Sequence, residues 1–170
     1  TALKIPSAML TNHKLVEYVA TISKPIILST GMSTMIEIDA AAEIVRVANR
    51  RAENVLLHCT SSYPCDPSEL NLLVIPTLAA KYPDFTIGYS GHEVGLAPSV
   101  AAVALGARAI ERHITPDRSM WGSDQSSSVE PQGFLHLIKD IRLVEKALGD
   151  GQKKVYDSEK EALRKLRGVG

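Results

Sequence analysis

Short apolar runs alternate with longer segments of helical periodicity along the chain. Five runs rich in aliphatic residues have the length of strands, at residues 2–5, 25–28, 54–58, 85–89 and 107–114. Segments in which apolar residues recur every three to four positions follow them, at residues 15–22, 35–48, 70–80, 96–105 and 134–148. The pattern predicts five successive strand–helix units.

Apolar strands separated by helices indicate a parallel sheet covered by helices, either an open doubly wound sheet or a barrel. Polar residues follow all of the predicted strands, which favours a barrel, because barrel enzymes gather their chemistry at that rim. An open sheet concentrates it at one switch point instead. The predicted fold class is therefore α/β, a (β/α)₈ TIM barrel.

The chain is too short for a whole barrel. A TIM barrel takes roughly 250 residues, whereas the sequence has 170, so we expect about five of the eight units here and three upstream. Residues 1–148 are predicted to form the partial catalytic barrel. Residues 149–170 are charged and flanked by glycine, and are predicted to form a terminal helix or linker toward a C-terminal domain absent from this chain.

Charge and composition lower the expectation of several partners. Lys plus Arg and Asp plus Glu number 19 each, so no net field attracts nucleic acid or a lipid surface. No apolar run reaches the length of a membrane span, and no signal region opens the chain. We expect a cytoplasmic protein in which Cys59 and Cys65 are reduced thiols rather than part of a disulfide framework.

Two histidines at successive strand ends could share a metal ion. Ser90 and His92 are two positions apart and face the same way, as do Glu111 and His113. Neighbouring strands lie about 4.8 Å apart, so the two imidazoles could bind one catalytic divalent ion and leave its other positions open. The alternative is that each histidine is a hydrogen-bonded rim residue.

A cation and several hydroxyls also occupy strand ends and could bind an anion such as phosphate. They are Lys4, Ser7, Ser29, Thr30, Thr60, Ser61 and Ser90. Ser and Thr also end strands for ordinary turn reasons, which is the alternative.

Four other residues receive no catalytic role. His58 and Cys59 are sequence neighbours on a strand, so they point to opposite faces and do not form a nucleophile pair. Packing is the favoured role of Cys59. His13 and His136 lie in helical segments and are expected on the surface.

Six stretches in order resemble the sialic acid synthase family: LKIPS, KPIILSTGM, LLHCTSSYP, IGYSGHE, AVALGARAIERHIT and GSDQSSSVEP. The match runs from Lys4 to about Gly149. The resemblance implies that this chain corresponds to barrel strands four to eight of an enzyme that is a homodimer at full length. It implies condensation of phosphoenolpyruvate with N-acetylmannosamine or its 6-phosphate, giving N-acetylneuraminate or its 9-phosphate and inorganic phosphate.

The resemblance also implies roles for individual residues. His92 and His113 would hold Mn²⁺ or Mg²⁺ and, with Glu111, form the catalytic set. Phosphoenolpyruvate would be bound by Lys4, Ser7, Ser29, Ser61 and Ser90. Tyr63, Glu111 and Asp124 match positions that contact or orient the sugar and the reacting groups.

Two positions depart from the family pattern. Met9 stands where members commonly have an acidic residue, and Ser61 stands where some bacterial members have Asn. Two alternatives stay open: a synthase for a related sugar, such as legionaminic acid, KDN or a spore-coat precursor, and a non-catalytic half-barrel that binds metal or sugar. With an incomplete barrel and unpaired sheet edges, these 170 residues alone are not expected to be a competent synthase.

Overall fold

The computed structural model describes residues 1–50 and 52–168. Its centre is a five-stranded sheet whose spatial order, β1-β2-β3-β4-β5, is the order along the chain. The strands are β1 Leu3–Ile5, β2 Ile26–Ser29, β3 Val55–Cys59, β4 Thr86–Gly91 and β5 Ala109–Arg112. Every neighbouring pair is parallel. The sheet is therefore a half-barrel of α/β type, and closure with three further units stays a prediction.

A helix follows each strand, as the periodicity predicts. The helices are α1 His13–Ala20, α2 Met35–Ala48, α3 Val74–Lys81, α4 Ala97–Ala104 and α5 Pro131–Leu148, with α6 Lys160–Arg167 near the end. Their buried residues include Val16, Ala41, Val45, Ile75 and Leu78, which pack in one core with Ile26, Leu28, Leu56 and Ile87 of the strands. The apolar stripes of α1, α2 and α3 thus lie against the sheet.

Several predicted bounds shift for local reasons. The helix predicted at 70–80 begins only at Val74, because Asn71 has a φ of 42°, a left-handed conformation that interrupts a helix. The helix predicted at 15–22 begins at His13, since the Asn12 side chain accepts a hydrogen bond from the Leu15 amide and caps it. The helix predicted at 134–148 begins at Pro131, a residue favoured in the first helical turn.

The fifth strand is shorter than the predicted 107–114. Beyond Arg112 the chain pairs with a single residue of a returning loop: the Val129 amide donates to the His113 carbonyl, and the Thr115 amide donates to the Val129 carbonyl. His113 therefore lies just past the strand end. The loop between 115 and 129 is tied back beside it.

The terminal segment contains the predicted helix. α6 has no buried residue and follows a short 3-10 turn, Asp157–Glu159. Residues 169 and 170 of the predicted linker lie outside the described residues, and its connection to a further domain stays a prediction. Within the described ranges, no helix is both long and apolar enough to cross a membrane.

Candidate active site

A cleft of about 600 Å³ lies at the carboxyl ends of the strands, where a TIM barrel places its chemistry. Nine of the ten predicted site residues line it: Lys4, Ser7, Ser29, Ser61, Tyr63, Ser90, His92, Glu111 and His113. The tenth, Asp124, is not part of the lining. The structure thus gathers side chains from all five strand ends into one cleft.

Lys4 is paired with Glu111, the carboxylate that lines the cleft among the described residues. Lys4 Nζ lies 3.4 Å from Glu111 Oε1, although the strands that carry them, β1 and β5, are the two edges of the sheet. Ser90 Oγ donates to the same carboxylate oxygen over 2.9 Å. Lys4 keeps two further N–H donors for an incoming anion, whereas the single hydroxyl proton of Ser90 is already committed to Glu111.

The hydroxyl of Ser29 has no hydrogen-bond partner in residues 1–50 and 52–168. The residue is 3% exposed and lines the cleft, and its Oγ makes no hydrogen bond. A buried hydroxyl without a partner costs free energy, and most such groups in proteins are satisfied. Ser29 is therefore available to a ligand oxygen in the cleft.

Ser7 and Gly31 form the floor beside Ser29. The Gly31 amide donates to Ser7 Oγ over 3.0 Å and to Cys59 Sγ over 3.1 Å. A Cβ on Gly31 would lie 2.8 Å from Ser7 Oγ and would also collide with the Ser61 hydroxyl. Only glycine lets this backbone amide approach the hydroxyls so closely, and the sequence interpretation missed this role.

The hydroxyls of Thr30 and Thr60 do not join the cleft. Thr30 Oγ1 donates to the Leu57 carbonyl and Thr60 Oγ1 donates to the Glu69 carbonyl. The Thr30 hydroxyl is therefore bonded to strand β3 and the Thr60 hydroxyl to the segment before α3, so both are already committed to backbone carbonyls.

The two histidines lie side by side, with ring centroids 5.3 Å apart. His92 Nδ1 is 2.8 Å from the Thr60 carbonyl oxygen, a contact that requires the proton on Nδ1 and leaves Nε2 free as a ligand. Burial lowers the pKa of His92, which favours the neutral imidazole that metals bind. This donor pair fits a divalent ion.

The protein supplies only part of a coordination sphere. In the part of the chain that the structure describes, no group of three or more His, Cys, Asp and Glu side chains is arranged to hold a metal. Two imidazoles would leave the remaining positions to water, substrate or groups from elsewhere, which suits a catalytic rather than a structural ion.

Tyr63 and Asp124 flank the histidines. The Tyr63 ring centroid is 4.2 Å from that of His92 and 5.6 Å from that of His113, and burial raises the pKa of its hydroxyl. Asp124 Oδ2 lies 3.8 Å from His113 Nδ1. Asp124 therefore lies on the outer side of His113, where it can orient the ring.

The remaining predictions concern residues to which the sequence assigns no catalytic or binding role. His58 points away from the cleft, with Nε2 2.7 Å from the Leu70 carbonyl oxygen, whereas Cys59 is buried with Sγ 3.2 Å from Ser7 Oγ. Their opposite directions are confirmed. Cys59 is buried, and its packing role stays a prediction. His13 and His136 are exposed, as expected. Met9 packs against the hydrophobic core and does not line the cleft.

Known proteins resemble this chain along most of its length. Residues 1–153 match the NeuB family model. The N-acetylneuraminate-9-phosphate synthase of Homo sapiens is 42% identical over 163 residues, which are 96% of this chain and 45% of that protein. The N,N'-diacetyllegionaminic acid synthase of Campylobacter jejuni is 41% identical over 165 residues, which are 96% of this chain and 49% of that protein. The chain thus spans about half the length of the curated relatives it matches.

Solved structures share the fold. The crystal structure of N-acetylneuraminic acid synthetase from Leptospira borgpetersenii, in complex with citrate, matches with a TM-score of 0.87 and 37% identity over 99% of this chain and 58% of that one. A truncated 3-deoxy-D-arabino-heptulosonate 7-phosphate synthase from Thermotoga maritima matches with a TM-score of 0.72 at 23% identity, a likeness of fold alone. Since the family model covers most of the sequence and the relatives align along nearly all of it, the chain belongs to the NeuB family of sialic acid synthases.

Proposed function

We propose that the complete enzyme containing this chain condenses phosphoenolpyruvate with N-acetylmannosamine or its 6-phosphate, forming N-acetylneuraminate or its 9-phosphate and inorganic phosphate. One observation carries the proposal: a lysine and an unpartnered buried hydroxyl share a cleft with two adjacent imidazoles. The first set suits a phosphorylated carboxylic acid, and the second would suit a divalent ion that polarises a carbonyl group. The proposal includes a cytoplasmic location and a homodimer of the complete enzyme.

The anion would occupy the side of the cleft nearest β1 and β2. Lys4 would turn its remaining donors to the phosphate or carboxylate, and Ser29 would donate the hydroxyl that now has no partner. The Ser7 and Ser61 hydroxyls line the same cleft and would complete the contacts. Hydrogen bonds to charged groups are the stronger kind, so these contacts hold the enol phosphate in place.

The aldose would lie toward β4 and β5. His92 and His113 would hold a divalent ion, Mn²⁺ or Mg²⁺, which when bound supplies Lewis-acid polarisation of the aldehyde oxygen. Tyr63 packs against His92 and would bound the sugar site. Asp124 would keep His113 oriented from outside.

The bond-forming step joins C3 of the enol phosphate to the aldehyde carbon, and positive charge develops at C2. Glu111 is the one carboxylate that lines the cleft among the described residues, and its negative charge would stabilise C2. Water then adds to C2 and gives up a proton, and the former aldehyde oxygen takes up a proton to become a hydroxyl. The C2 hydroxyl of the resulting hemiketal phosphate loses its proton as the C2–O bond to phosphate breaks, which releases inorganic phosphate and leaves a 2-keto-3-deoxy acid. Alignment of two substrates removes much of the entropic barrier.

The test is an assay of the complete enzyme with Mn²⁺, phosphoenolpyruvate and each sugar in turn. Lys4→Ala should raise the KM for phosphoenolpyruvate about 10-fold or more, as expected for loss of a charged contact, with a much smaller effect on the KM for sugar. Lys14→Ala, an exposed lysine on α1, is the matched control. Absence of phosphate release with every sugar would refute the proposal.

A second candidate differs only in the sugar. The relative that forms diacetyllegionaminic acid is almost as similar as the human synthase, at 41% against 42% identity. Competition among N-acetylmannosamine, its 6-phosphate and a 2,4-diacetamido sugar in the same assay separates the candidates by their kcat/KM values.

A further inference from the structure

A buried ion pair lies directly behind the two histidines. Glu93 follows His92 in the chain and is 0% exposed, and the Arg112 side chain, which precedes His113, is 1% exposed. Arg112 Nη1 donates to Glu93 Oε1 over 3.0 Å. Each charged residue is thus the sequence neighbour of a proposed metal ligand, and its side chain is buried.

The pair is saturated with hydrogen bonds on the Glu93 side. Tyr89 Oη donates to Oε2 over 2.8 Å, and Ser99 Oγ donates to Oε1 over 3.1 Å. A Cβ on Gly91 would lie 2.6 Å from Oε2. The glycine between Ser90 and His92 therefore leaves the space in which the carboxylate folds back beside its own strand.

The guanidinium joins three segments of backbone. Arg112 Nη2 donates to the Glu93 carbonyl over 2.7 Å, and Nη1 donates to the Gly95 carbonyl over 2.9 Å. Nη2 also reaches the Ser127 carbonyl at 3.3 Å. One side chain thus connects the end of β5 to the loop after β4 and to the loop that returns before α5.

The loop residue Ser127, which Arg112 contacts, is itself bonded to Asp124, the carboxylate beside His113. The hydroxyls of Ser127 and Ser128 both donate to the Asp124 carbonyl, and Asp124 Oδ2 lies 3.8 Å from His113 Nδ1. Hydrogen bonds therefore connect Arg112, through Ser127, to the backbone of Asp124. The Asp124 carboxylate lies beside the ring of His113, the residue that follows Arg112 in the chain.

Burial of this pair is not explained by stability. The desolvation of two charges offsets most of their attraction, and buried ion pairs are often replaced by apolar residues without loss of stability. A guanidinium does provide a rigid planar set of donors that fixes the backbone segments it bonds. The ion pair fixes the relative positions of the backbone segments that it bonds, which an apolar pair would not do.

We propose that Glu93 and Arg112 are positioning residues, which hold His92, His113 and Asp124 in the arrangement that binds the divalent ion. The inference rests on the metal-dependent function proposed above. Neither residue needs to touch substrate. Its direct measure is the affinity of the complete enzyme for Mn²⁺ alone, obtained by calorimetric titration without substrates.

Arg112→Met should raise the Kd for Mn²⁺ about 10-fold, the lower end of the effect of losing a direct partner of a metal ligand, because Arg112 acts on the histidines through the loop backbone. The KM for phosphoenolpyruvate should stay within about twofold, since its proposed ligands lie on or just after β1, β2 and β3. Arg46→Gln is the matched control: Arg46 makes a two-pronged ion pair with Asp84 on the outer surface, and its loss should leave the Kd for Mn²⁺ unchanged.

Arg112→Met leaves Glu93 buried and unpaired, so Glu93→Gln combined with Arg112→Met provides a neutral pair if the single variant does not fold. Weakened Mn²⁺ binding with retained binding of phosphoenolpyruvate in either variant supports the inference. Wild-type affinity for Mn²⁺ in the folded variants overturns it, and so does a parallel loss of both affinities, which marks a purely structural role.

The proposed function can fail separately. A wild-type enzyme that binds Mn²⁺ but forms no keto acid refutes the synthase reaction, and the variant affinities still decide the positioning role. A wild-type enzyme that binds no Mn²⁺ refutes the metal site and the positioning role together.

Discussion

Removal of the Ser29 hydroxyl is expected to have opposite effects on stability and on ligand binding. The hydroxyl is buried, lines the cleft and has no hydrogen-bond partner among the described residues. Without ligand, no protein contact from those residues offsets its burial. With a phosphate or carboxylate oxygen beside it, the same hydroxyl becomes a donor to a charged acceptor.

The two magnitudes follow from this difference. An unsatisfied buried polar group costs about 1–3 kcal/mol, so Ser29→Ala should raise the free energy of unfolding of the free protein by about 1 kcal/mol, the lower end of that range. A hydrogen bond to a charged group contributes about 1.5–3 kcal/mol. Its loss should weaken binding of phosphoenolpyruvate by about 10- to 100-fold.

Both quantities are measured on a complete barrel that includes this chain, by urea unfolding without ligand and by calorimetric titration with phosphoenolpyruvate. Thr30→Val is the matched control, because the neighbouring Thr30 hydroxyl is also buried but donates to the Leu57 carbonyl. Its removal should destabilise the protein by about 1 kcal/mol and leave the affinity for phosphoenolpyruvate unchanged.

Either half of the result can refute the reasoning. A Ser29→Ala protein that is less stable than wild type would mean that the hydroxyl is satisfied before ligand binds. Unchanged affinity for phosphoenolpyruvate would remove Ser29 from the anion site and shift that role to Lys4 and Ser7.

Three further outcomes are expected. Gly31→Ala should raise the KM for phosphoenolpyruvate and not that for sugar, because its Cβ would displace Ser7; equal changes in steady-state assays would contradict this. Burial lowers the pKa of His58 from 6.5, so the unfolded chain binds more protons and stability should fall as pH drops below about 6.5; His58→Gln should flatten that slope in urea unfolding. The 170-residue chain alone should form no keto acid, and turnover near 1 s⁻¹ would contradict this.

The strand pattern predicted which residues line much of the cleft, because side chains alternate between the two faces of a strand. The rule that residues two apart on a strand share a face placed Glu111 and His113 in the cleft, and it placed Ser90 beside His92. Parallel strands end at the same edge, so strand-end residues far apart in sequence were expected to meet. The contact between Lys4 and Glu111 across the sheet is one result.

Periodicity does not determine what a side chain meets on the other face. Glu93 and Arg112 carry no pattern that separates a buried pair from two solvated charges, since burial depends on Ser99 and the loop carbonyls that close over them. The hydroxyls of Thr30 and Ser29 looked equivalent in sequence, although only one found a carbonyl partner. Backbone geometry of this kind, like the left-handed Asn71 that delays α3, arises from the folded loops.

The agreement between strand order and chain order has a consequence for synthesis. Each strand pairs with the one made just before it, so the growing polypeptide can add units without waiting for distant partners, and loop closure stays inexpensive in entropy. When α3 has emerged from the ribosome at Lys81, the four residues proposed above to bind the anion have already been made: Lys4, Ser7, Ser29 and Ser61. The histidines arrive later, on β4 and after β5. The nascent chain therefore assembles the anion half of the cleft first and completes the metal half last.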